Sequence, residues 1–135
     1  MGQQLPLTGA TTLGLVYRDG VILASEKRVA YGYLVLSRAG KKVFQITNNV
    51  GAACAGLMAD MQVLVKEASA YVNLYSLESR RPPSVNAVAK VIATLLFQHR
   101  LSPLLTQTII GGVDVEGAKI YVLDPLGSLI PDKYA

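Results

Sequence analysis

The chain has 135 residues, 51% of them apolar and 16% charged, and a formal net charge of +4. This composition supports one folded core and excludes an intrinsically disordered chain. The 13 basic and 9 acidic residues are scattered in small groups. They do not alternate with the aromatic residues as they would in a groove that stacks bases, so we predict no nucleic-acid partner.

Several further features concern the cellular compartment and cofactors. The apolar residues form no stretch of the roughly 18 needed to span a bilayer, and residues 1–9 lack the pattern of a secretory signal. The single Cys54 lies among small residues, which predicts a thiol packed as a small apolar group. These features predict a cytoplasmic protein without a membrane partner. With no metal-ligand cluster and no phosphate loop, we predict no cofactor, and His99 is expected to be a capping or surface residue.

The first predicted element is a β-hairpin. Its strands are Thr11 to Tyr17, rich in Thr, Leu and Val, and Val21 to Ser25, with turn residues Arg18-Asp19-Gly20 between them. Arg28 to Leu36 then predicts a loop that leads into a short strand, closed at Arg38-Ala39-Gly40.

A second hairpin follows. Lys41 to Thr47 alternates between apolar and polar residues after its lysines, and Asn48-Asn49 supplies a turn. The next residues, Val50 to Ala55, are small and apolar, as in a strand buried on both faces.

The apolar spacing then changes to three and four, which predicts a helix of about five turns ending near Arg80. Pro82-Pro83 prevents its continuation, and Ser84 is a favourable N-cap for a second helix that runs until Ser102-Pro103. The buried stripe of the first helix is predicted to contain Leu57, Met61, Leu64, Val65, Ala68, Val72 and Tyr75.

Two more strands complete the pattern. Thr106 to Asp114 and Lys119 to Asp124 are predicted strands, separated by a turn at Glu116-Gly117 and followed by another turn at Pro125-Leu126-Gly127. Strands, then two helices, then strands predict an α+β fold with antiparallel hairpins and helices on one sheet face.

Five short motifs occur along the chain in a specific order. They are Ala10-Thr11-Thr12-Leu13-Gly14, the segment from Arg18 to Arg28, the segment from Gly40 to Ile46, Ala55-Gly56, and Asp124-Pro125-Leu126-Gly127. Each motif alone is common. Together and in this order they resemble the proteasome β subunits of archaeal type, which are N-terminal nucleophile hydrolases, and the resemblance runs from Ala10 to the end of the chain.

The resemblance implies a sandwich of two antiparallel sheets between helical layers, ordered α-β-β-α. It also implies seven-membered rings in which β rings lie between α rings. The implied partners are proteasome α subunits, other β subunits and polypeptide substrates, with an ATP-dependent unfoldase acting indirectly.

The resemblance further implies a threonine protease that cuts its own propeptide, here residues 1–9 ending at Gly9. In the family, the freed N-terminal Thr supplies both the nucleophilic hydroxyl and, through its amine, the general base. Carried over by position, Lys42 is the active-site lysine, Glu26 the acidic residue that orients it, and Gly56 the oxyanion amide. The implied substrate pocket contains Val29, Ala30, Cys54 and Met58.

The sequence departs from the family at the nucleophile, because the position of the Thr is occupied by Ala10. Without a hydroxyl, the chain is expected neither to hydrolyse peptides nor to cut after Gly9. Ala10 indicates either an introduced Thr→Ala change that traps a precursor or a naturally non-catalytic β subunit, and the retained Glu26, Lys42 and Gly56 favour the first.

Two further expectations concern the register and the extent of the domain. A shifted nucleophile at Thr11 or Thr12 would move the hydroxyl by about 3.3 Å per residue, against a tolerance of about 0.5 Å, and is disfavoured. Residues 10–135 are expected to form a β-type domain that is incomplete at its C-terminus, where the family has a catalytic Asp and Ser.

Overall fold

The computed structural model describes residues 11–27, 29–31, 34–37 and 40–134, which form nine strands and two helices. The first four strands are β1 (Thr12–Tyr17), β2 (Gly20–Ser25), β3 (Val29–Tyr31) and β4 (Leu34–Ser37). Then come β5 (Val43–Thr47), β6 (Val50–Gly56), α1 (Met58–Ser79) and α2 (Val85–Gln98). The last strands are β7 (Thr106–Asp114), β8 (Gly117–Leu123) and β9 (Leu129–Asp132).

The strands β5 to β9 form one antiparallel sheet in chain order, while β1–β2 and β3–β4 are separate hairpins. Both helices are inserted between β6 and β7, which nevertheless pair directly, from Val50 opposite Gly112 to Gly56 opposite Thr106. Because of this pairing, β7 begins beside the end of β6, where α1 also starts.

The five-stranded sheet carries a core on each face. On one face, Ala52 and Cys54 pack with the helices, and on the other, Ala53 packs with the β1–β2 hairpin. Alternate residues of β6 therefore enter opposite cores, as its small apolar sequence predicted. The layers are helices, five-stranded sheet and hairpin, which confirms the α+β class and matches three layers of the nucleophile-hydrolase sandwich.

The helix limits follow from local chemistry. α1 ends where Arg80 adopts a left-handed conformation with φ of 57°, and the Ser84 hydroxyl accepts a hydrogen bond from Ala87 N to start α2. The prediction was wrong at two points: Tyr75 is 51% exposed, and α2 ends at Gln98 instead of Ser102. Neither helix in these ranges is long and apolar enough to cross a membrane.

Two short elements differ from the sequence prediction. The segment from Arg28 to Leu36, predicted as a loop that leads into one short strand, contains the additional strand β3, which pairs with β4. Arg28, Gly32 and Tyr33 lie outside the described residues. The strand β9 was not predicted. Segments of three or four residues are too short to show alternation, and Pro131 in β9 is tolerated because that strand is the edge of the sheet.

Replacing Gly127 by alanine is expected to lower the free energy of unfolding by about 2–4 kcal/mol. Gly127 has a φ of +95°, and an added Cβ would lie 2.7 Å from the Ala93 carbonyl oxygen of α2. The control is Gly117→Ala, since Gly117 has a φ of +110° but nothing within 4 Å of the added Cβ. It should cost about 1–2 kcal/mol. Urea denaturation measures both losses of stability. Equal losses in the two variants would show that contact with α2 does not constrain the residue at position 127.

Candidate functional site

Two of the predicted catalytic residues, Glu26 and Lys42, meet at one end of the layered structure. At this end β1 begins and β2 ends, with Thr12 opposite Ser25, and Glu26 N donates to the Thr11 carbonyl at 3.4 Å. The beginning of β5 lies beside the end of β6, where Cys54 N donates to the Lys42 carbonyl at 2.8 Å. The ends of these strands of the hairpin and of the five-stranded sheet therefore lie together here.

An ion pair joins the two layers at this end. Lys42 Nζ donates to Glu26 Oε1 at 2.5 Å, and the two side chains are 5% and 35% exposed. A buried ammonium group is costly unless it is paired, and Glu26 supplies that partner. The neighbouring Lys41 is exposed and lies over the Phe44 ring, 5.6 Å from its centroid. Of the two adjacent lysines, Lys42 is thus the one held in a defined position.

Gly56 ends β6 in a conformation that side chains rarely adopt. Its φ is +132°, and an added Cβ would lie 2.1 Å from the Leu105 carbonyl oxygen. The next residue, Leu57, is the N-cap of α1 and donates its N–H to that same Leu105 oxygen at 2.7 Å. The backbone at Gly56 is therefore fixed by close contact with the segment that leads into β7.

The four residues predicted to form the substrate pocket lie in three elements. Val29 and Ala30 belong to β3. Cys54 lies in β6 and is fully buried, while Met58, the first residue of α1, is partly buried against the core on the helix side. Cys54 and Met58 lie two residues before and two residues after Gly56 in the sequence.

The Cys54 thiol is held in its neutral form. Burial raises its pKa to about 11. Thiolate is the reactive form, so this thiol is chemically quiet at neutral pH.

Cys54 is expected to react with iodoacetamide at pH 8 at least about a hundredfold more slowly in the native protein than in urea. With a pKa of about 11, roughly 0.1% of the thiol is ionised at pH 8, against about a quarter for an ordinary thiol. The free energy of unfolding should also fall as pH rises from about 8.5 towards 11, because the unfolded thiol ionises first. Cys54→Ala should remove that component, and equal alkylation rates in both states would show that the thiol reaches solvent.

The predicted cleavage junction of Gly9 and Ala10, and the propeptide of residues 1–9, lie outside the described residues. The nearest described residue is Thr11, whose carbonyl accepts hydrogen bonds at 3.4 Å from Glu26 N and from the Ser25 hydroxyl.

Asp60 was missed by the sequence reading. It lies in the first turn of α1, and its Oδ2 accepts a hydrogen bond from Leu105 N at 2.6 Å. The available signal was an acidic residue three positions after the predicted helix start at Leu57, where carboxylates favour the helix N-terminus.

An open cleft of about 720 Å³ lies elsewhere. It follows β5 from Lys41 to the Asn48-Asn49 turn and is bordered by β2. Lys42, Glu26 and Gly56 do not line it. We therefore take the Lys42–Glu26 ion pair, together with the constrained Gly56, as the candidate site.

Comparison with known proteins identifies the family of the chain. The pattern of the family described as "Proteasome subunit" matches residues 7–135. "Proteasome subunit beta 2" of Caldivirga maquilingensis is 45% identical over 100% of this chain and 68% of its own length. For "Proteasome subunit beta 2" of Pyrobaculum calidifontis, the identity is 46% over 100% of this chain and 66% of that protein.

A third relative, "Proteasome subunit beta 1" of Cenarchaeum symbiosum, is 51% identical over 96% of this chain and 66% of its own length. The chain thus spans about two thirds of the length of these archaeal relatives. The chain belongs to the proteasome subunit family.

Proposed function

We propose that the chain is part of a β subunit of the proteasome core particle, a threonine-type endopeptidase that degrades unfolded polypeptides inside a four-ring barrel. The proposed partners are α subunits and other β subunits in stacked seven-membered rings, with an unfoldase acting indirectly, and the proposed location is the cytoplasm. The observation that carries the proposal is the ion pair between the buried Lys42 and Glu26, whose own N–H donates to the carbonyl of Thr11, the residue that follows position 10 in the sequence.

In the active form of such a subunit, a Thr at position 10 attacks the substrate carbonyl carbon through its hydroxyl, and its own amine accepts the hydroxyl proton. The Lys42 charge favours the neutral amine and stabilises developing negative charge, while Glu26 holds Lys42 in place. The Gly56 N–H donates to the oxyanion. Val29, Ala30, Cys54 and Met58 shape the pocket for the substrate side chain.

With Ala10 at the nucleophile position, this chain is proposed to be an inactive, uncleaved precursor in which residues 1–9 remain attached to residues 10–135. Ala10 alone also fits a non-catalytic β subunit that only completes the ring. The Lys42–Glu26 pair favours the precursor. Removing the Lys42 charge from water has a desolvation cost, and a subunit with a purely structural role would gain little from keeping such a charge at this position.

The test restores the hydroxyl by Ala10→Thr in the full-length subunit assembled with α subunits, with Ala10→Val as the isosteric control. The precursor proposal expects the Thr variant to lose residues 1–9, as seen by intact mass, and to hydrolyse fluorogenic peptides. The Val variant should do neither. A Thr variant that keeps residues 1–9 and shows no turnover would refute the catalytic proposal in favour of the structural subunit.

A further inference from the structure

The N-terminus of α1 is capped by a distant segment instead of by its own side chains. Leu57, the N-cap, makes no side-chain capping bond, and its N–H donates to the Leu105 carbonyl at 2.7 Å. In return, Leu105 N donates to the Asp60 carboxylate at 2.6 Å. In an ordinary capping box, the N-cap and N3 residues satisfy each other's N–H groups. Here the Leu57 N–H bonds instead to the Leu105 carbonyl, and the Asp60 carboxylate bonds to the Leu105 N–H. The first turn of α1 therefore clamps Leu105 through both of its backbone polar groups.

The clamped residue is also the one that constrains Gly56. The Leu105 carbonyl oxygen would be 2.1 Å from a Cβ at Gly56, so it lies directly against the glycine backbone. Gly56 is paired with Thr106, the residue after Leu105, in the β6–β7 ladder. A shift of Leu105 therefore changes the contact that fixes the Gly56 peptide.

We propose that Asp60 is a positioning residue for the oxyanion site: by holding Leu105 against Gly56, it fixes the direction of the Gly56 N–H. This inference rests on the proposed role of Gly56 as oxyanion donor. A carboxylate in the first turn of a helix suits this task, because the helix N-terminus favours negative charge and its bond to an N–H is stronger than a neutral one. Asp60 acts through Leu105 and does not itself reach the reacting atoms.

The chain offers a matched control at the other end of β7. Asp114 Oδ2 accepts from Val85 N at 2.9 Å, at the first residue of α2, and Asp114 Oδ1 accepts from Glu116 N at 2.8 Å. Asp114 thus ties a helix N-terminus to a strand as Asp60 does. Gly56 pairs with the first residue of β7, whereas Asp114 is the last residue of that strand. Removal of Asp114 reports what such a tie contributes to stability alone.

The experiment uses the full-length subunit carrying Ala10→Thr, assembled with its partners, and measures kcat and KM on a fluorogenic peptide together with urea unfolding. Asp60→Ala is expected to lower kcat about tenfold or more while KM changes less than about threefold, since a displaced oxyanion donor weakens transition-state binding. Asp114→Ala should lose similar stability and keep kcat within about twofold. Equal kcat losses in the two alanine variants would overturn the inference.

Two conservative variants test position against charge and cover the case in which Asp60→Ala fails to assemble. Asp60→Asn keeps an acceptor oxygen at the same reach, so kcat should stay within about threefold. Asp60→Glu keeps the charge but adds a methylene that displaces Leu105, so kcat should fall more than with Asn. The reverse order would refute a positioning role.

The outcomes also separate this inference from the proposed function. A parent Ala10→Thr subunit without turnover refutes the catalytic proposal and, with it, the role of Asp60. A parent with normal turnover whose Asp60 variants keep the parental kcat refutes the positioning role alone.

Discussion

Lys42→Ala, made in the full-length subunit that carries Ala10→Thr, is expected to lower kcat/KM for peptide hydrolysis at least about a thousandfold. The substitution removes an ammonium group that is 5% exposed and lies 2.5 Å from the Glu26 carboxylate. Without that charge, the amine at position 10 loses the neighbour that favours its neutral form, and the developing oxyanion loses a stabilising charge. Fluorogenic peptide turnover measures the loss, and intact mass reports whether residues 1–9 are still removed.

The adjacent lysine supplies the control for this experiment. Lys41→Ala removes the same charge from the same end of β5. Lys41, however, is exposed, and within the described residues the contact found for its ammonium group is with the Phe44 ring. Its substitution should change kcat/KM by less than about twofold, because an exposed charge is screened by solvent. Comparable losses at Lys41 and Lys42 would mean that turnover depends on the general charge of this edge, against a specific role for Lys42.

Much of the fold was predictable because long elements carry a strong period. The spacing that begins at Leu57 predicted α1, and Arg80 and Ser84 were correctly identified at the helix limits. Tyr75 follows the same spacing yet is exposed, since periodicity shows a shared face but not how far along a helix its neighbours reach. The short strands β3 and β9 were missed because segments of three or four residues are too short to show alternation.

The site shows the same division between local pattern and tertiary contact. Alternation along a strand predicts that Lys41 and Lys42 point to opposite faces, but not which face is covered. The family resemblance selected Lys42, and the β1–β2 hairpin with Glu26 explains its burial. The hydrogen bond between Asp60 and Leu105 joins residues 45 positions apart, so no local motif could have identified its partner.

Gly56→Ala is expected to cause the largest loss of stability among single substitutions in β6, at least about 4 kcal/mol in the free energy of unfolding. The added Cβ would lie 2.1 Å from the Leu105 carbonyl oxygen, and the φ of +132° is strained for any side chain. Relief would require Leu105 to move, which would stretch its bonds to Leu57 and Asp60. Urea denaturation measures the loss, and in the Ala10→Thr background peptide turnover should be abolished.

Gly51→Ala in the same strand is the control. Its added Cβ would lie 3.2 Å from the Phe44 carbonyl oxygen, a tight contact that a shift of a few tenths of an ångström relieves, and its φ is ordinary. We expect it to cost less than about 2 kcal/mol and to leave turnover in place. If Gly56→Ala instead folded as stably as Gly51→Ala, the Leu105 segment would have to be free to move away. Neither the oxyanion role of Gly56 nor the clamp at Asp60 would then have the rigid backbone on which both depend.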